Sequence, residues 1–570
     1  MKDYIGISAY YHDSSVALIR DGKLEVFIKE ESLTRIKGTS SFPFNALRCL
    51  IDDYGVNSNT IEKVCFYEKP LRGWLSLIKH ALEKPVERWR QAANQLRSFW
   101  EGPIFFSEEL RKMIRLDHDK VIYCEHHLSH ALTGLAYTKN QTKWTAIILD
   151  GVGDGETASV FSINNNKIDR IWNSKFPVSI GLFYSTITEF LGFEVNDGEY
   201  KVMALAAFGE PSFKEFMNEN LLSFNPDSGK LACDMSFYEF DKSPERSFSE
   251  KLSAHLGGAF TSRLLPSDKN SIEFKRFADI AASAQSLTQD IVEEIVKFSI
   301  KLTGCGNIIL SGGVAQNCRC MAEIAKLEGI KELVIPPSPG DSGSAIGAAL
   351  YPYLIEEKKK LSPPGLYPGP KPSQPNMMDQ FFSRHSNSQR MINDVSDLLQ
   401  KGQIVTTFVG KAETGPRALG NRSILCDGGN IKAVEELNNL VKKRESFRPL
   451  APIMKVDIAP KFFKLSKNAM QNYSWMGLTA EALDNLKVSH PSVLHVDNTA
   501  RLQTVHKDQR FLWELLSKCE KRGMPILINT SFNISGDPIV YDYVDCYVNM
   551  YRMGLEWLVT DDGLFRLNNV

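Results

Sequence analysis

Leu149-Asp-Gly-Val-Gly-Asp-Gly155 joins the apolar run Trp144 to Leu149 to the run Thr157 to Ile163, and so reads as strand, glycine-rich turn, strand. A turn of glycine and small polar residues lets backbone N–H groups meet a phosphate chain. The N-terminus repeats the plan. Tyr4-Ile-Gly-Ile-Ser-Ala9 and Ser15-Val-Ala-Leu-Ile19 flank the turn Tyr11-His-Asp-Ser14, and Asp21-Gly22 turns into a third strand, Leu24 to Lys29. One such hairpin alone is an ordinary tight turn, because glycine and aspartate are default turn residues. Two in one half of a chain predict a duplicated α/β core.

That duplication is the plan of the actin-like ATPase superfamily. Between the hairpins lies Glu125-His126-His127-Leu128-Ser129-His130-Ala131, which holds three of the eleven histidines. In a helix, His126 and His130 fall on one face and could grip one metal ion, while His127 points elsewhere. An isolated pair of this kind is more often two buried, backbone-bonded histidines, and the glutamate that makes HExxH a protease motif is absent. Carboxylates must decide. Asp150 ends a strand, and Asp341 stands in Pro339-Gly-Asp-Ser-Gly343 before an apolar helix over 344–350; both are positions where open parallel sheets hold ligands. Asp341 could instead cap that helix. Asn307-Ile-Ile-Leu-Ser-Gly-Gly-Val-Ala-Gln-Asn317 reads as a buried strand meeting a turn and a helix, with Gly312 and Gly313 letting the backbone approach a nucleotide.

The chain has 570 residues, 43% hydrophobic and 24% charged, with a formal net charge of −1. This length predicts two or three domains. The near-neutral charge supplies no field for nucleic acid, so no nucleic-acid partner is expected. No apolar run is long enough to cross a bilayer and the N-terminus has no signal pattern, so no membrane association and a cytoplasmic location are expected. The ten cysteines are scattered, and the pair Cys318/Cys320 lacks a second pair for zinc. Residues 70–115 read as a helical insertion and 210–275 as a polar, irregular one, with a long amphipathic helix from Ala278 to Leu302. Glu199 and Lys201 are spaced as on one side of an extended segment. A proline-dense stretch, 358–375, predicts a connector between a domain at 1–357 and a second at 376–570.

The second half holds four polar clusters: Gly415-Pro-Arg-Ala-Leu-Gly-Asn-Arg-Ser423, Lys442-Lys-Arg-Glu-Ser-Phe-Arg-Pro-Leu450, His495-Val-Asp-Asn-Thr-Ala-Arg501 and Ile528-Asn-Thr-Ser-Phe-Asn533. One arginine alone is a surface ion pair. If Arg417, Arg448 and Arg501 converge, their guanidinium forks would hold a small phosphate.

Together YHDSSVAL, EHHLSHA, LDGVGDG, EYKVMALA, SGGVAQN, GDSGSAIGAA, GPRALGNRS, FRPLAP, HVDNTARLQTV and NTSFN resemble the carbamoyltransferase family that includes nodulation protein U and the cephem and tobramycin carbamoyltransferases. The resemblance implies an α/β protein: an N-terminal duplicated actin-like ATPase fold, similar to the protein that transfers threonylcarbamoyl to tRNA, plus a C-terminal YrdC-like α/β domain. It implies a divalent metal on His126, His130 and Asp341, with Asp150 as a further ligand or phosphate contact; iron(II) is favoured, with manganese, magnesium and zinc open. Asp150, Gly151, Gly153, Gly312, Gly313 and Asn317 would form the nucleotide site. Arg417, Lys443, Arg448, Arg501, Asn529 and Ser531 would hold carbamoyl phosphate and the adenylate made from it and ATP. His12 would be the base beside a hydroxylated small-molecule acceptor, with Lys37 nearby. Where the family has Arg-Met-Glu-Phe before Gly-Pro-Arg, this chain has Lys411-Ala-Glu-Thr414, keeping Glu413. The rival readings are a threonylcarbamoyltransferase acting on tRNA, an actin-like small-molecule kinase and a non-catalytic ATP-binding scaffold; the acceptor and a homodimeric state stay open.

Overall fold

The computed structural model describes residues 2–83, 88, 93–94, 96–97, 102–140, 142–165, 167–243, 245–261, 265–266, 268–371, 378–442, 445 and 447–568. The chain forms two compact units, Met1–Glu25 with Ser40–Pro363, and Val26–Thr39 with Pro364–Val570. The division at Pro363/Pro364 falls inside the proline-dense stretch.

The first unit contains the strands β1 (Asp3–Ser8), β2 (Ser15–Arg20), the first three residues of β3 (Lys23–Lys29), whose remainder is counted with the second unit, β4 (Ile61–Phe66) and β5 (Val121–Tyr123), then β6 (Lys143–Gly153), β7 (Glu156–Asn164), β8 (Lys167–Lys175), the small hairpin β9 (Ser223–Asn225) and β10 (Lys230–Ala232), β11 (Asn307–Ser311) and β12 (Glu332–Val334). One sheet has the order β3-β2-β1-β4-β5 and another β8-β7-β6-β11-β12. In each, the first long strand pairs antiparallel with its hairpin partner and parallel with the next, which pairs parallel with the edge strand. The two sheets are copies of one topology, as the two hairpins predict.

Two buried helices belong to these sheets. In His126–Ala136 every residue but Leu128 is buried, and in Asp341–Leu350 all ten are. Both sequences are rich in small residues, which permits backbone-to-backbone packing. A Cβ on Gly347 would lie 1.7 Å from the Ser129 carbonyl oxygen, and one on Gly6 of β1 would lie 1.8 Å from that of Ala345. The helix carrying Asp341 is thereby seated against β1 on one side and the helix of the histidine pair on the other.

Some local expectations change. Glu199 and Lys201 lie on a helix, Glu199–Leu205, rather than an extended segment; Glu199 accepts from the Ser185 hydroxyl (2.7 Å) and Lys201 lies over the Phe193 ring. The long helix runs Ile272–Thr303, six residues earlier than its apolar pattern, because the Ser271 hydroxyl caps it by accepting from the Phe274 N–H. The 210–275 region includes the helices Lys214–Asn220 and Glu250–Leu256 besides the β9–β10 hairpin. Within 70–115, helices span Pro70–Glu83 and Phe106–Met113, and part of the stretch between them lies outside the described residues. No helix among the described residues is long and apolar enough to cross a membrane.

The second unit contains β13 (Phe382–Asn387), β14 (Val405–Phe408), β15 (Arg422–Asp427), β16 (Ala451–Lys455), β17 (Phe463–Lys464), β18 (Ala480–Ala482), β19 (Thr499–Ala500), β20 (Gln503–Val505), β21 (Leu527–Ser531), β22 (Trp557–Thr560) and β23 (Gly563–Leu567). Eight form one mixed sheet, β13-β23-β22-β14-β15-β21-β16-β20, and β17-β18-β19 form a small one. The amphipathic helices Ser388–Gln400 and Arg510–Lys521 bury Val395, Leu399, Leu512 and Leu516 on the large sheet, in one core with Val405, Leu425 and Leu527. The segment Val26–Thr39 is anchored in this unit by Arg35, which donates to the carbonyls of Pro538 and Ile539 (2.8 Å each) and pairs with Asp545 (3.2 Å).

Candidate functional site

His126 and His130, one helical turn apart, turn their Nε2 atoms toward each other at 3.1 Å. Asp150, within β6, brings Oδ2 to 3.1 Å from His126 Nε2 and 3.9 Å from His130 Nε2. Asp341 brings Oδ1 to 3.6 Å and 3.3 Å from the same two nitrogens. All four side chains are buried, and one donor atom from each lies within 4.8 Å of the others. Asp341 is the first residue of its helix, not the cap, because the helix begins at 341 rather than 344; its carboxylate is turned to the imidazoles.

These residues fit a divalent cation. Two nitrogens 3.1 Å apart, each about 2.1 Å from one ion, subtend about 95° there, within the range of tetrahedral to octahedral ligation. The His130 Nδ1–H donates to the Pro339 carbonyl (3.0 Å), which also accepts from the Gly312 N–H (2.8 Å) and the Ser311 hydroxyl (3.2 Å). That bond leaves the lone pair of His130 on Nε2, the atom facing the cluster. Asp150 is held by its other oxygen, which accepts from the Gly313 N–H at 2.8 Å. Burial would lower His126, but Asp341 and the hydrogen bond to Asp150 lift it to about 10. Burial would raise Asp150, but its bond to His126 and the charge of His130 hold it well below the usual carboxylate range. Two carboxylates thus demand positive charge in this small space, supplied by protons or by a dication.

His12 stands beside the cluster, with Nε2 3.5 Å from Asp341 Oδ2 and Nδ1 3.1 Å from Asp13. Burial opposes its charge, yet Asp341 and Asp13 raise it to about 9. Gly312 has φ +93°, and a Cβ there would meet the Leu149 carbonyl at 2.3 Å. Gly151 has open space at its Cβ position, and its carbonyl accepts from Ser179. Gly153 has another use: its missing Cβ makes room for the His126 ring. Asn317 caps the helix Cys318–Ile324 and exchanges hydrogen bonds with Gln285.

In the second unit, strand pairing carries the four polar clusters to one end of the large sheet. β21 runs antiparallel to β15 and β16, and β20 runs parallel to β16. The starts of β15, β16 and β20 and the end of β21 therefore share an edge, so Arg417, Arg448, Arg501, Asn529 and Ser531 all lie at or just outside it. Asn529 Nδ2 donates to the Ala418 carbonyl (3.0 Å) and to Gln503 Oε1 (2.6 Å), and Gln503 Nε2 donates to the Leu419 carbonyl (2.9 Å). Arg448 pairs with Glu445 at 3.2 Å. Arg501 Nε and Asn529 Oδ1 are buried with no hydrogen-bond partner among the described residues, a donor and an acceptor left for a ligand.

Lys443 lies outside the described residues. Its neighbour Lys442, which sequence reading passed over, is 1% exposed, and its ammonium donates to the Ser531 carbonyl (2.9 Å) and to the backbone and side-chain oxygens of Asn533. Ser531 Oγ also donates to Asn533 Oδ1 (2.6 Å). Lys37 is exposed and belongs to the segment Val26–Thr39 of the second unit.

Residues 3–350 match the family Carbamoyltransferase N-terminus and residues 396–566 match Carbamoyltransferase C-terminus. The chain is similar to uncharacterized protein sll1178 of Synechocystis sp., 31% identical over 99% of this chain and 96% of that one. It is also similar to nodulation protein NolNO of Sinorhizobium fredii, 27% identical over 98% of this chain and 79% of that one. Among solved structures, the activator of 2-hydroxyisocaproyl-CoA dehydratase from Clostridium difficile with bound ADPNP overlaps 63% of this chain and 99% of its own, at 16% identity and a TM-score of 0.32. With both family halves matched in order and a relative aligned almost end to end, the chain belongs to the carbamoyltransferase family and is a transferase enzyme.

Proposed function

We propose that this protein is an ATP-dependent O-carbamoyltransferase in which the second unit makes carbamoyl-adenylate and the first transfers the carbamoyl group to a hydroxyl of a small-molecule acceptor. The first unit is read as an actin-like fold and the second as YrdC-like. The observation that carries the reading is the buried set His126, His130, Asp150 and Asp341 with His12 beside it.

In the second unit, Arg417, Arg448, Arg501 and Lys442 supply cationic charge for the phosphate of carbamoyl phosphate. Water cleaves carbamoyl phosphate to carbamate and phosphate. A carbamate oxygen then attacks the α-phosphorus of ATP, forming carbamoyl-adenylate and expelling pyrophosphate. Asn529 Oδ1 and Arg501 Nε offer the acceptor and donor that such a ligand needs.

In the first unit, the acceptor hydroxyl attacks the carbamoyl carbon and AMP departs with the bonding electrons. With the Asp341 carboxylate charge that raises His12 offset by a bound cation, Nε2 is left free to take the hydroxyl proton. His126, His130, Asp150 and Asp341 would hold a divalent cation, which would supply Lewis acidity toward the AMP phosphate, and their mixed nitrogen and oxygen donors suit iron, manganese or zinc. The nucleoside is placed at the backbone around Gly312 and Gly313 by the glycine pair of the SGGVAQN motif, since no side chain there could block a close approach. A cavity of about 480 Å³, lined in part by Tyr10, Ser41, Phe42, Asn94, Arg97 and Glu109, is of the size that takes small ligands. Tyr10 stands two residues from His12, at most about 7 Å along the chain, so this cavity is where we place the acceptor.

The test is pyrophosphate release from ATP that requires carbamoyl phosphate and proceeds without tRNA. ADP as the product would favour a kinase, and a requirement for tRNA would favour a threonylcarbamoyltransferase.

A further inference from the structure

The two histidines of the candidate metal centre are oriented by different means. His130 follows the ordinary rule for a metal-bound imidazole: the ring nitrogen remote from the cluster is hydrogen-bonded, here to the Pro339 carbonyl. The corresponding atom of His126, Nδ1, is buried with no hydrogen-bond partner among the described residues. The Tyr67 ring packs against the His126 ring at 5.1 Å but gives its Nδ1 no hydrogen bond, yet its Nε2 lies 3.1 Å from both Asp150 Oδ2 and His130 Nε2. The restraint must come from elsewhere.

It comes from the turn that follows Asp150. Asp154, buried and at φ +53°, points Oδ2 at the backbone N–H of His126 (2.9 Å) and Oδ1 at the backbone N–H of Lys69 (2.9 Å). His126 is the first residue of its helix, and Glu125 before it makes no side-chain cap bond, so a carboxylate from a distant strand does that work at the positive end of the helix. Lys69 follows β4 of the first sheet and Asp154 follows β6 of the second, so one carboxylate ties both sheets to the start of the ligand helix. The preceding residue controls the ring: a Cβ on Gly153 would stand 2.0 Å from His126 Cδ2 and 2.6 Å from Nε2.

We propose that Asp154 is the positioning residue for His126, clamping its backbone while Gly153 provides the slot for its ring, in place of the hydrogen bond that Nδ1 lacks. The inference rests on reading the four residues as metal ligands. Asn at position 154 keeps one acceptor oxygen but turns an N–H₂ toward one of the two amides, and Ala keeps neither acceptor.

The experiment titrates Co²⁺ into metal-free full-length protein and into D154N, D154A, G153A, H126A and H130A. Affinity and the visible ligand-field spectrum are followed, with far-UV circular dichroism as the check on folding. Loss of an outer contact to a metal ligand typically weakens binding about 10- to 100-fold, so D154A and G153A should fall in that range with altered spectra and D154N should lie between D154A and the wild type. A merely structural role would lower the melting temperature and leave the spectrum of the bound ion unchanged. If D154A does not fold, D154N and G153A decide. Wild-type affinity and spectrum in the folded variants, alongside lost binding in H126A and H130A, would overturn the proposal and leave the metal centre standing. Wild-type binding in H126A and H130A would overturn the metal centre itself, and the proposal with it.

Discussion

Glu413 offers the sharpest check on the phosphate-binding edge. Its Oε1 accepts three backbone N–H bonds, from Leu419 (2.9 Å), Asn421 (2.9 Å) and Arg422 (3.0 Å), and so pinches the loop that carries Arg417. A hydrogen bond to a charged group contributes about 1.5–3 kcal/mol, but the side chain is only half-buried and water replaces part of the loss. Glu413→Ala should therefore cost about 3–5 kcal/mol rather than the full sum of three such bonds. Glu413→Gln keeps an oxygen in place with bonds roughly half as strong, and should cost about 1–2 kcal/mol. An arginine displaced by about 1 Å can cost a hundredfold, so carbamoyl-phosphate-dependent pyrophosphate release should fall by about 10²-fold in the Ala variant and much less in the Gln variant. Urea denaturation gives the first quantity and a coupled pyrophosphate assay the second. An Ala variant with the wild-type KM for carbamoyl phosphate and the wild-type unfolding midpoint would refute the reasoning.

Gly347→Ala drives a Cβ to within 1.7 Å of the Ser129 carbonyl, so the helix bearing Asp341 must move from the ligand helix; a loss of about 1–3 kcal/mol or more should appear as a lower Tm together with weaker metal binding. His12→Asn should abolish carbamoyl transfer while pyrophosphate release continues, and equal loss of both would remove His12 from the role of base. Dialysis against a chelator should do the same to the two half-reactions and lower Tm; restored metal at about 100 times its Kd would return about 2.7 kcal/mol of stability. Lys442→Met leaves three oxygens of Ser531 and Asn533 facing an apolar side chain, so both pyrophosphate release and the urea midpoint should drop.

What could be read without coordinates was local. A helical period of 3.6 residues is enough to set His126 and His130 on one face, and alternation around two turns is enough to reveal two equivalent hairpins. The four polar clusters of the second half were equally visible as breaks in apolar runs. Their meeting was not, because β16, β20 and β21 pair across long stretches of chain, and only that pairing puts Arg417, Arg448, Arg501 and Asn529 on one edge. The same holds for Asp150 and Asp341, which reach the histidines through sheet order and helix packing, and for Asp154, whose two oxygens find amides from elements far apart in sequence. Glu199 became helical and Lys442 proved buried, since side-chain direction depends on the element around it. The residues able to do chemistry and the repeated strand plan were legible along the chain, because both are short-range properties. Tertiary structure alone decided which of those residues face one another and what holds them there, because long-range packing sets distances that no spacing along a chain encodes.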